Sequence, residues 1–291
     1  PKFYQNDFIR EQKRDLLCNL IILSLTNKVP DAQLPTHETR LFKRNCFIMN
    51  SGILLFKNDP HNTKEKWRIM VPSIFQTPLV SDFHQSYIHL GRKKLYEQLG
   101  IKYYWKNMTQ HIEDFVKNCT VCNSVNKGVT HAANFAPILS NYFGQIIGID
   151  FVGPLNVTDA GYVYILTIVD IFSGWVVYVP TERQTAYAFI RAFHDYWLMV
   201  NPWPEIVISD RGPGFTSTLT QTLFQVYGIQ MNFTTSYNPR ANGYAEQRNR
   251  TLKLALTKIG LDFQIENMYK NIQWHLYVNL IAFVTNICIN P

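Results

Sequence analysis

The order of hydrophobic and polar residues at the start of the chain predicts a helix followed by a small sheet. Between residues 7 and 27, apolar side chains recur about every 3.6 positions, which indicates an amphipathic helix. Two apolar runs at 46–49 and 53–56 flank an Asn-Ser-Gly turn signal, so we expect a β-hairpin, and the run at 67–72 adds a third strand. We therefore predict a helix-plus-hairpin extension over residues 1–75.

The next segment, residues 76–125, has the pattern of a small all-helical domain. Residues 92–99 form a short basic helical stretch, and residues 107–118 place apolar side chains on one helical face, with Asn107 as a candidate cap. Residues 126–144 are rich in small and polar side chains and are predicted to be a linker.

From residue 145 to residue 291 the pattern changes to short apolar runs that alternate with helical periodicity. Three early strands followed by alternating helices and strands predict an α/β domain around a mixed five-stranded sheet. The predicted strands are 145–152, 162–170, 174–180, 205–209 and 229–234. The predicted helices are 184–200, 217–227, 242–259 and 268–287.

Composition narrows the class of protein. A chain of 291 residues that is 46% hydrophobic has room for two or three folded domains. The net charge of +7 favours a polyanionic partner, and no apolar run reaches the ~18 residues of a membrane span. Five cysteines are an odd number, which suits a reducing compartment better than a disulfide framework. The first residues lack an initiator Met and a signal-peptide pattern, so we expect a piece of a longer polypeptide.

Two histidines and two cysteines have the spacing of a metal site. Four residues separate His84 from His89, twenty-nine separate His89 from Cys119, and two separate Cys119 from Cys122. Two imidazoles and two thiolates form a closed tetrahedral set for Zn²⁺, which is typical of a structural site. A domain of about fifty residues has a small core, so the metal would contribute to its folding. The alternative is a chance Cys pair near unrelated surface histidines.

Three acidic residues are candidates for a two-metal phosphoryl-transfer site. Asp150 and Asp210 lie at the ends of two apolar runs that predict buried strands, and Glu246 begins a helix after a turn rich in Asn, Pro and Gly. Glu246 also has a simpler explanation, as an acid favoured at a helix N-terminus. The same predicted helix face, a charged stripe, also carries Asn249, Arg250 and Lys253. Arg250 and Lys253 would follow a DNA backbone, unless the stripe is only solvated.

These residues resemble the integrases of retroviruses and, more closely, of gypsy-type LTR retrotransposons. The four zinc-ligand candidates match the amino-terminal zinc domain of that family. The runs 149–155, 209–212 and 242–250 match its three catalytic blocks, and thirty-five residues lie between Asp210 and Glu246 as in the family. The extension before the zinc domain resembles that of gypsy-type and spumaviral enzymes. Members carry a further carboxy-terminal domain, which we do not expect within these 291 residues.

The resemblance implies an RNase H-like core whose carboxylates Asp150, Asp210 and Glu246 hold two Mg²⁺ or Mn²⁺ ions, with Asp150 shared by both. It implies an enzyme that processes the 3′ ends of a linear viral or retrotransposon DNA and joins them to target DNA. Its partners would be double-stranded DNA ends, target DNA, further copies of itself in a tetramer or larger assembly, and host chromatin or transcription factors. It would act in the host nucleus and also occur in the virion or virus-like particle. Arg248, Arg250 and Lys253 would contact DNA.

Three alternatives remain open from the sequence. A domesticated integrase-like protein would bind DNA without catalysis, although its acids and zinc ligands are all present here. A simple nuclease of the RNase H class would cut without joining, but it would not need the zinc domain or the extension. A cut-and-paste transposase would use the same acids, and it ranks lower because the resemblance covers nearly the whole chain.

Overall fold

The computed structural model describes residues 4–28, 30, 33–125, 139–234, 243–262 and 273–288. The chain forms two compact units, Pro1–Asn123 and Ser124–Pro291. Among the described helices, none is long and apolar enough to cross a membrane.

The N-terminal unit combines seven helices in its described part with a four-stranded sheet. The helices are α1 (Gln5–Arg14), α2 (Leu16–Leu25), α3 (Thr36–Lys43), α4 (Ser73–Ser86), α5 (Arg92–Gly100), α6 (Met108–Asn118) and α7 (Thr120–Val125), the last of which continues past the boundary between the units. The strands are β1 (Phe47–Asn50), β2 (Ile53–Phe56), β3 (Arg68–Met70) and β4 (Tyr103–Tyr104), hydrogen-bonded in that order. The hairpin β1–β2 and the antiparallel strand β3 confirm the predicted sheet.

The predicted single helix over residues 7–27 is wrong, because the chain breaks at Asp15 between α1 and α2. Asp15 has an extended backbone, and its Oδ1 accepts a hydrogen bond from the Cys18 N–H at 3.0 Å, which caps α2. Its Oδ2 accepts from the N–H and the hydroxyl of Ser73 at 2.8 and 2.7 Å. One aspartate therefore starts α2 and ties it to the start of α4. The Asn107 prediction also fails in part, since Asn107 precedes α6 without a side-chain cap bond.

The structure joins the predicted extension to the predicted zinc domain. Strand β4, from residues 103–104, pairs in parallel with β3 of the extension, so the helical zinc domain contributes one short strand. Phe8 of α1 packs in the same core as Leu79, Leu95 and Trp105. The predicted boundary between the extension (1–75) and the zinc domain (76–125) stays a prediction. Residues 1–123, which include almost all of both segments, form one compact unit.

The C-terminal unit is built on the predicted mixed five-stranded sheet. Its strands are β5 (Ile146–Val152), β6 (Tyr164–Asp170), β7 (Val176–Thr181), β8 (Ile206–Ser209) and β9 (Gln230–Phe233). The order is β7-β6-β5-β8-β9, antiparallel among the first three strands and parallel from β5 to β9. This arrangement confirms the mixed sheet of the RNase H-like prediction. It also sets β5 and β8, the strands that lead to Asp150 and Asp210, side by side.

Helices cover the sheet at positions close to those predicted. They are α8 (Ala186–Phe193), which continues as a π-helix over His194–Leu198, α9 (Pro213–Thr216), α10 (Thr218–Val226), α11 (Gly243–Asp262), a 3-10 turn (Trp274–Leu276) and α12 (Val278–Ile287). Phe189, Phe193 and Trp197 are buried, as the helical pattern predicted. Residues 268–272 of the last predicted helix and residue 242 of the one before it lie outside the described part of the chain.

Candidate metal centres and catalytic site

Folding of the N-terminal unit brings the four predicted zinc ligands together. His84 lies near the end of α4, His89 follows that helix, Cys119 ends α6 and Cys122 lies in α7. Their donor atoms all lie within 4.8 Å of one another, and His84, His89 and Cys122 are buried. The sequence prediction that these residues meet is confirmed by this geometry.

The orientation of the two imidazoles defines which atoms face the shared point. His84 Nδ1 lies 3.1 Å from the carbonyl oxygen of Leu90, which places a proton on Nδ1 and leaves Nε2 as the metal-facing atom. His84 Nε2 is 3.0 Å from His89 Nδ1 and 3.4 Å from Cys122 Sγ, and Cys119 Sγ is 3.3 Å from His89 Nδ1. Ligands at tetrahedral Zn²⁺ are roughly 3.3–3.8 Å apart, so the donor set fits one zinc ion.

A strained turn places His89 against His84. Ile88 and His89 both have a φ of 54°, a left-handed conformation that a β-branched residue such as Ile88 rarely adopts. The turn is held by hydrogen bonds from the His89 N–H to the His84 carbonyl at 2.7 Å and from the Ile88 N–H to the Gln85 carbonyl at 3.1 Å. Such strain persists where the surrounding structure fixes the backbone, and here it positions a donor atom.

The three acidic residues approach one another from neighbouring elements of the C-terminal unit. Asp150 lies in β5, Asp210 follows the adjacent parallel strand β8, and Glu246 lies in the first turn of α11, which packs across β5 and β6. Gly148, two residues before Asp150 in β5, faces α11 and the neighbouring strand β6. A Cβ there would lie 3.1 Å from Val169 Cγ1 and 3.9 Å from Ala245 Cβ.

Electrostatics show that these carboxylates share one environment. Burial and the negative charges of Asp210 and Glu246 together raise the pKa of Asp150 to about 6, with burial as the largest cause. Among the described residues, the three do not form a group of ligand atoms as close as the zinc quartet. An all-oxygen donor set with concentrated negative charge fits hard divalent cations such as Mg²⁺ or Mn²⁺.

Aromatic packing connects the segments that carry Asp150 and Asp210. Phe151, the residue after Asp150, stacks on Phe215 with ring centroids 5.2 Å apart, and Phe215 lies in α9 just after Asp210. The Asp210 Oδ1 accepts a hydrogen bond from the Gly212 N–H at 2.9 Å. The loop that carries Asp210 is therefore tied to the strand that carries Asp150.

Asn249 of α11 is buried, although the helical pattern predicted that it would face solvent. Asn249 was grouped with the charged, solvent-facing stripe, but it is only 7% exposed. Its Nδ2 donates to Asp150 Oδ2 at 2.7 Å, and its Oδ1 accepts from the Thr167 hydroxyl at 2.5 Å. Sequence reasoning missed Thr167 entirely, since a threonine within an apolar strand gives no signal of its own.

The predicted DNA contacts divide into two groups. Arg250 and Lys253 are exposed on α11. Arg248 is only partly exposed; burial lowers its pKa, and its carbonyl accepts a hydrogen bond from the Tyr178 hydroxyl at 2.9 Å. The DNA-binding role of all three residues remains a prediction.

Comparison with known proteins identifies both parts of the chain. Residues 71–128 match the integrase zinc binding domain and residues 143–239 match the integrase core domain. The chain is 31% identical over 207 residues to the Gag-Pol polyprotein of baboon endogenous virus (strain M7), covering 70% of this chain and 12% of that protein. It is 30% identical over 217 residues to the Pro-Pol polyprotein of feline foamy virus, covering 72% of this chain and 18% of that protein.

Two solved structures are also similar. One is the HTLV-2 integrase catalytic core domain in complex with magnesium, with 23% identity, a TM-score of 0.38, and coverage of 48% of this chain and 83% of that chain. The other is the simian T-cell lymphotropic virus intasome in complex with the PP2A regulatory subunit B56 gamma, with 20% identity, a TM-score of 0.44, and coverage of 70% and 67%.

The chain spans less than a fifth of the two polyproteins described above, so it corresponds to a limited part of each. The specific closeness to gypsy-type elements remains a prediction, since these relatives are an endogenous retroviral and a foamy viral polyprotein. The two matched domains together cover more than half of the chain, in the order predicted from its sequence, and the chain therefore belongs to the integrase family.

Proposed function

We propose that this chain is an integrase that trims the 3′ ends of a linear viral or retrotransposon DNA and joins those ends to target DNA. The observation that carries the proposal is the approach of Asp150, Asp210 and Glu246 from β5, β8 and α11, of which Asp150 and Asp210 lie within the matched integrase core domain at residues 143–239. The raised pKa of Asp150 supports it, because perturbed carboxyl groups in one cluster are typical of catalytic sites.

The proposed chemistry consists of two phosphoryl transfers at one site. In the first, a water oxygen bonds to a phosphorus near the 3′ end, and the bond between that phosphorus and the 3′ oxygen of the retained strand breaks. The terminal nucleotides leave with a 5′ phosphate, the water gives up a proton, and the retained 3′ oxygen takes up a proton to become a free 3′ hydroxyl. In the second, the freed 3′ hydroxyl bonds to a phosphorus of target DNA and displaces a target 3′ oxygen. Each step exchanges one P–O bond for another, so no external energy source is needed.

The three carboxylates would hold two Mg²⁺ or Mn²⁺ ions, which when bound supply positive charge to the entering and leaving oxygens. The residues of the chain position the reacting groups, because phosphoryl transfer depends mainly on alignment and electrostatics. Arg250 and Lys253 lie about one and two helical turns after Glu246, on the exposed side of α11, where they would bind DNA phosphates.

The N-terminal unit would supply most of the electrostatic affinity for DNA. Residues 1–123 contain 18 Lys and Arg against 11 Asp and Glu, whereas residues 124–291 contain 10 of each. Arg92, Lys93 and Lys94 form the first turn of α5, where cations are unfavourable next to the positive end of the helix dipole; of the three, Arg92 pairs with Glu113 at 2.8 Å. A bound phosphate backbone would offset that repulsion.

Zinc would be held by His84, His89, Cys119 and Cys122 and would stabilise the N-terminal unit. The active form would be a multimer of four or more copies on the DNA ends. It would work in the host nucleus, reach it from a viral or virus-like particle, and use host chromatin or transcription factors in target choice.

Strand transfer tests the proposal directly. Labelled duplex ends and a supercoiled plasmid would be incubated with Mg²⁺ or Mn²⁺, comparing the unmodified chain with Glu246→Gln. The control is Asp262→Asn, which removes an exposed acid from the same helix about 24 Å away. We expect joining to fall on the order of 10³-fold in Glu246→Gln, with DNA binding retained, and to be unchanged in Asp262→Asn. Equal joining by all three proteins would contradict the assignment of Glu246. DNA binding without joining in any of them would favour the domesticated alternative.

A further inference from the structure

Three side chains from three elements form a hydrogen-bonded row beneath the proposed catalytic site. The Thr167 hydroxyl of β6 donates to Asn249 Oδ1 of α11 at 2.5 Å, and Asn249 Nδ2 donates to Asp150 Oδ2 of β5 at 2.7 Å. Thr167 is fully buried and Asn249 nearly so. Polar groups removed from water in this way are retained where their hydrogen bonds are complete, and this row completes them.

The fold explains why these three residues meet. Asp150 and Thr167 are directly opposite each other in the antiparallel pair β5–β6, so their side chains lie on the same face of the sheet. Helix α11 crosses that face, and residues three apart on a helix are neighbours. Glu246 and Asn249 have that spacing, so one helical turn carries both the third acid and the amide that contacts the first acid.

The row fixes the direction in which the Asn249 amide points. The Asp150 carboxylate can only accept, so it faces the NH₂ group of Asn249, and the Thr167 hydroxyl donates to Oδ1 of the same amide and holds it in place. The other oxygen of Asp150, Oδ1, accepts from the Phe151 N–H at 2.8 Å. Both carboxylate oxygens are therefore held by a donor, and each keeps further lone-pair capacity for a cation.

We propose that Asn249, oriented by Thr167, is a positioning residue that sets the rotation of the Asp150 carboxylate for divalent-cation binding. The proposal rests on the proposed function of this site and adds two residues that touch neither DNA nor metal. Groups that orient a metal ligand typically change metal affinity 10–100-fold when they are removed. Asn249→Asp would be the most damaging change, since it replaces the donor with a second carboxylate beside Asp150.

The test separates the hydroxyl of Thr167 from its volume. Thr167→Val keeps the shape and removes the donor, whereas Thr167→Ser keeps the donor and removes a methyl group. Mn²⁺ affinity, measured by electron paramagnetic resonance of free Mn²⁺, is expected to weaken roughly tenfold in Thr167→Val and 10–100-fold in Asn249→Ala, and to stay within about twofold in Thr167→Ser. In strand transfer at subsaturating Mn²⁺, kcat should fall most in Asn249→Ala, less in Thr167→Val and least in Thr167→Ser, with the KM for DNA unchanged in all three.

Thr158→Val serves as the matched control, because Thr158 is also a buried threonine, and its hydroxyl accepts from the Tyr162 N–H outside the site. Its Mn²⁺ affinity should equal that of the unmodified chain. A purely structural role for Thr167 would give the reverse ranking, with Thr167→Val at least as good as Thr167→Ser, and would overturn the proposal.

Failure of this proposal and failure of the proposed function have different signatures. If the unmodified chain joins DNA and binds Mn²⁺ through Asp150, but Thr167→Val and Thr167→Ser behave alike, the positioning role is wrong and the function stands. If no joining occurs while Thr167→Val still weakens Mn²⁺ binding and Thr167→Ser does not, the positioning role stands and the function is wrong. Mn²⁺ binding that does not depend on Asp150 would overturn the positioning role.

Discussion

The two compact units of this protein build metal-binding sites by opposite means. The N-terminal unit carries a net charge of +7 and gathers nitrogen and sulfur donors within 4.8 Å of one another, mostly buried. The C-terminal unit has no net charge, and its three carboxylates are held less closely, with Asp210 and Glu246 exposed. A closed, buried donor set suits a structural ion, whereas an open set of acids leaves room for a substrate phosphate. This difference fits the proposed division of roles, in which the first site stabilises the fold and the second carries out chemistry.

Loss of a zinc ligand should have the largest effect. In Cys122→Ser we expect the helices around the quartet to unfold, because metal binding is a large part of the folding free energy in small metal-containing domains, about 10 kcal/mol in isolated zinc peptides. Zinc content and limited proteolysis would measure this. Cys46→Ser is the control, since Cys46 is a buried cysteine of the same unit outside the quartet. Equal zinc content and protease resistance in the two variants would contradict a structural role for the site.

Acidification should stabilise the C-terminal unit in the absence of added divalent ions. The Asp150 pKa is raised to about 6 from a usual 3.8, mainly by burial and then by Asp210, so the folded state binds this proton more tightly than the unfolded state. This contribution to the free energy of unfolding therefore rises as the pH falls from about 7 to 4, by about 2 kcal/mol. Urea unfolding would measure it, with Asp150→Asn as the comparison that lacks the rise. A flat difference between the two proteins over this range would show that Asp150 is already paired with a cation.

Removal of cations from the N-terminal unit should weaken DNA binding by a smaller amount. We expect Lys93→Ala with Lys94→Ala to lower affinity about tenfold at moderate salt and to reduce the salt slope by about 2. Lys64→Ala with Lys66→Ala removes the same charge from exposed positions elsewhere in the unit. Fluorescence anisotropy over a salt series would compare them. Equal losses in the two double variants would mean that net charge matters and the position of α5 does not.

The smallest effect should come from the break between α1 and α2. Burial disfavours the Asp15 carboxylate, but hydrogen bonds from Cys18 and Ser73 outweigh it and lower the Asp15 pKa. Asp15→Ala should reduce the free energy of unfolding by about 1 kcal/mol, and Asp15→Asn by less, because the amide oxygen can still cap α2. The stability of the unmodified chain should fall as the pH drops through the lowered pKa. A more stable Asp15→Ala protein would show that a continuous helix is compatible with the fold.

Most strand positions in the C-terminal unit were predictable because those strands are short apolar runs between turn signals, as in residues 206–209 of β8. Helix α4 was missed, since Pro72 and Pro78 lie at its start and within it, and proline usually marks helix ends. The break at Asp15 was missed although its cap on Cys18 is local, because the apolar pattern runs on through it; the second contact that holds it, Ser73, lies 58 residues away.

In the candidate sites, too, local sequence features were predictable and features that depend on tertiary packing were not. The four candidate zinc ligands and the three candidate catalytic acids stand out by residue type and spacing, so they could be proposed from the sequence alone. Asn249 could not be separated from the charged stripe of its helix, because its burial depends on how α11 lies across the sheet. The contact of Thr167 with the site depends on its position opposite Asp150, which is set by the pairing of β5 with β6.

Anomalous X-ray scattering from crystals grown with Zn²⁺ and soaked in Mn²⁺ tests most directly whether the two units bind different metals. Data collected at the zinc and manganese absorption edges would locate each metal separately. We predict one zinc peak among His84, His89, Cys119 and Cys122, and manganese confined to the space between Asp150, Asp210 and Glu246. Manganese in the quartet, or no manganese at the three acids at saturating concentration, would contradict the account.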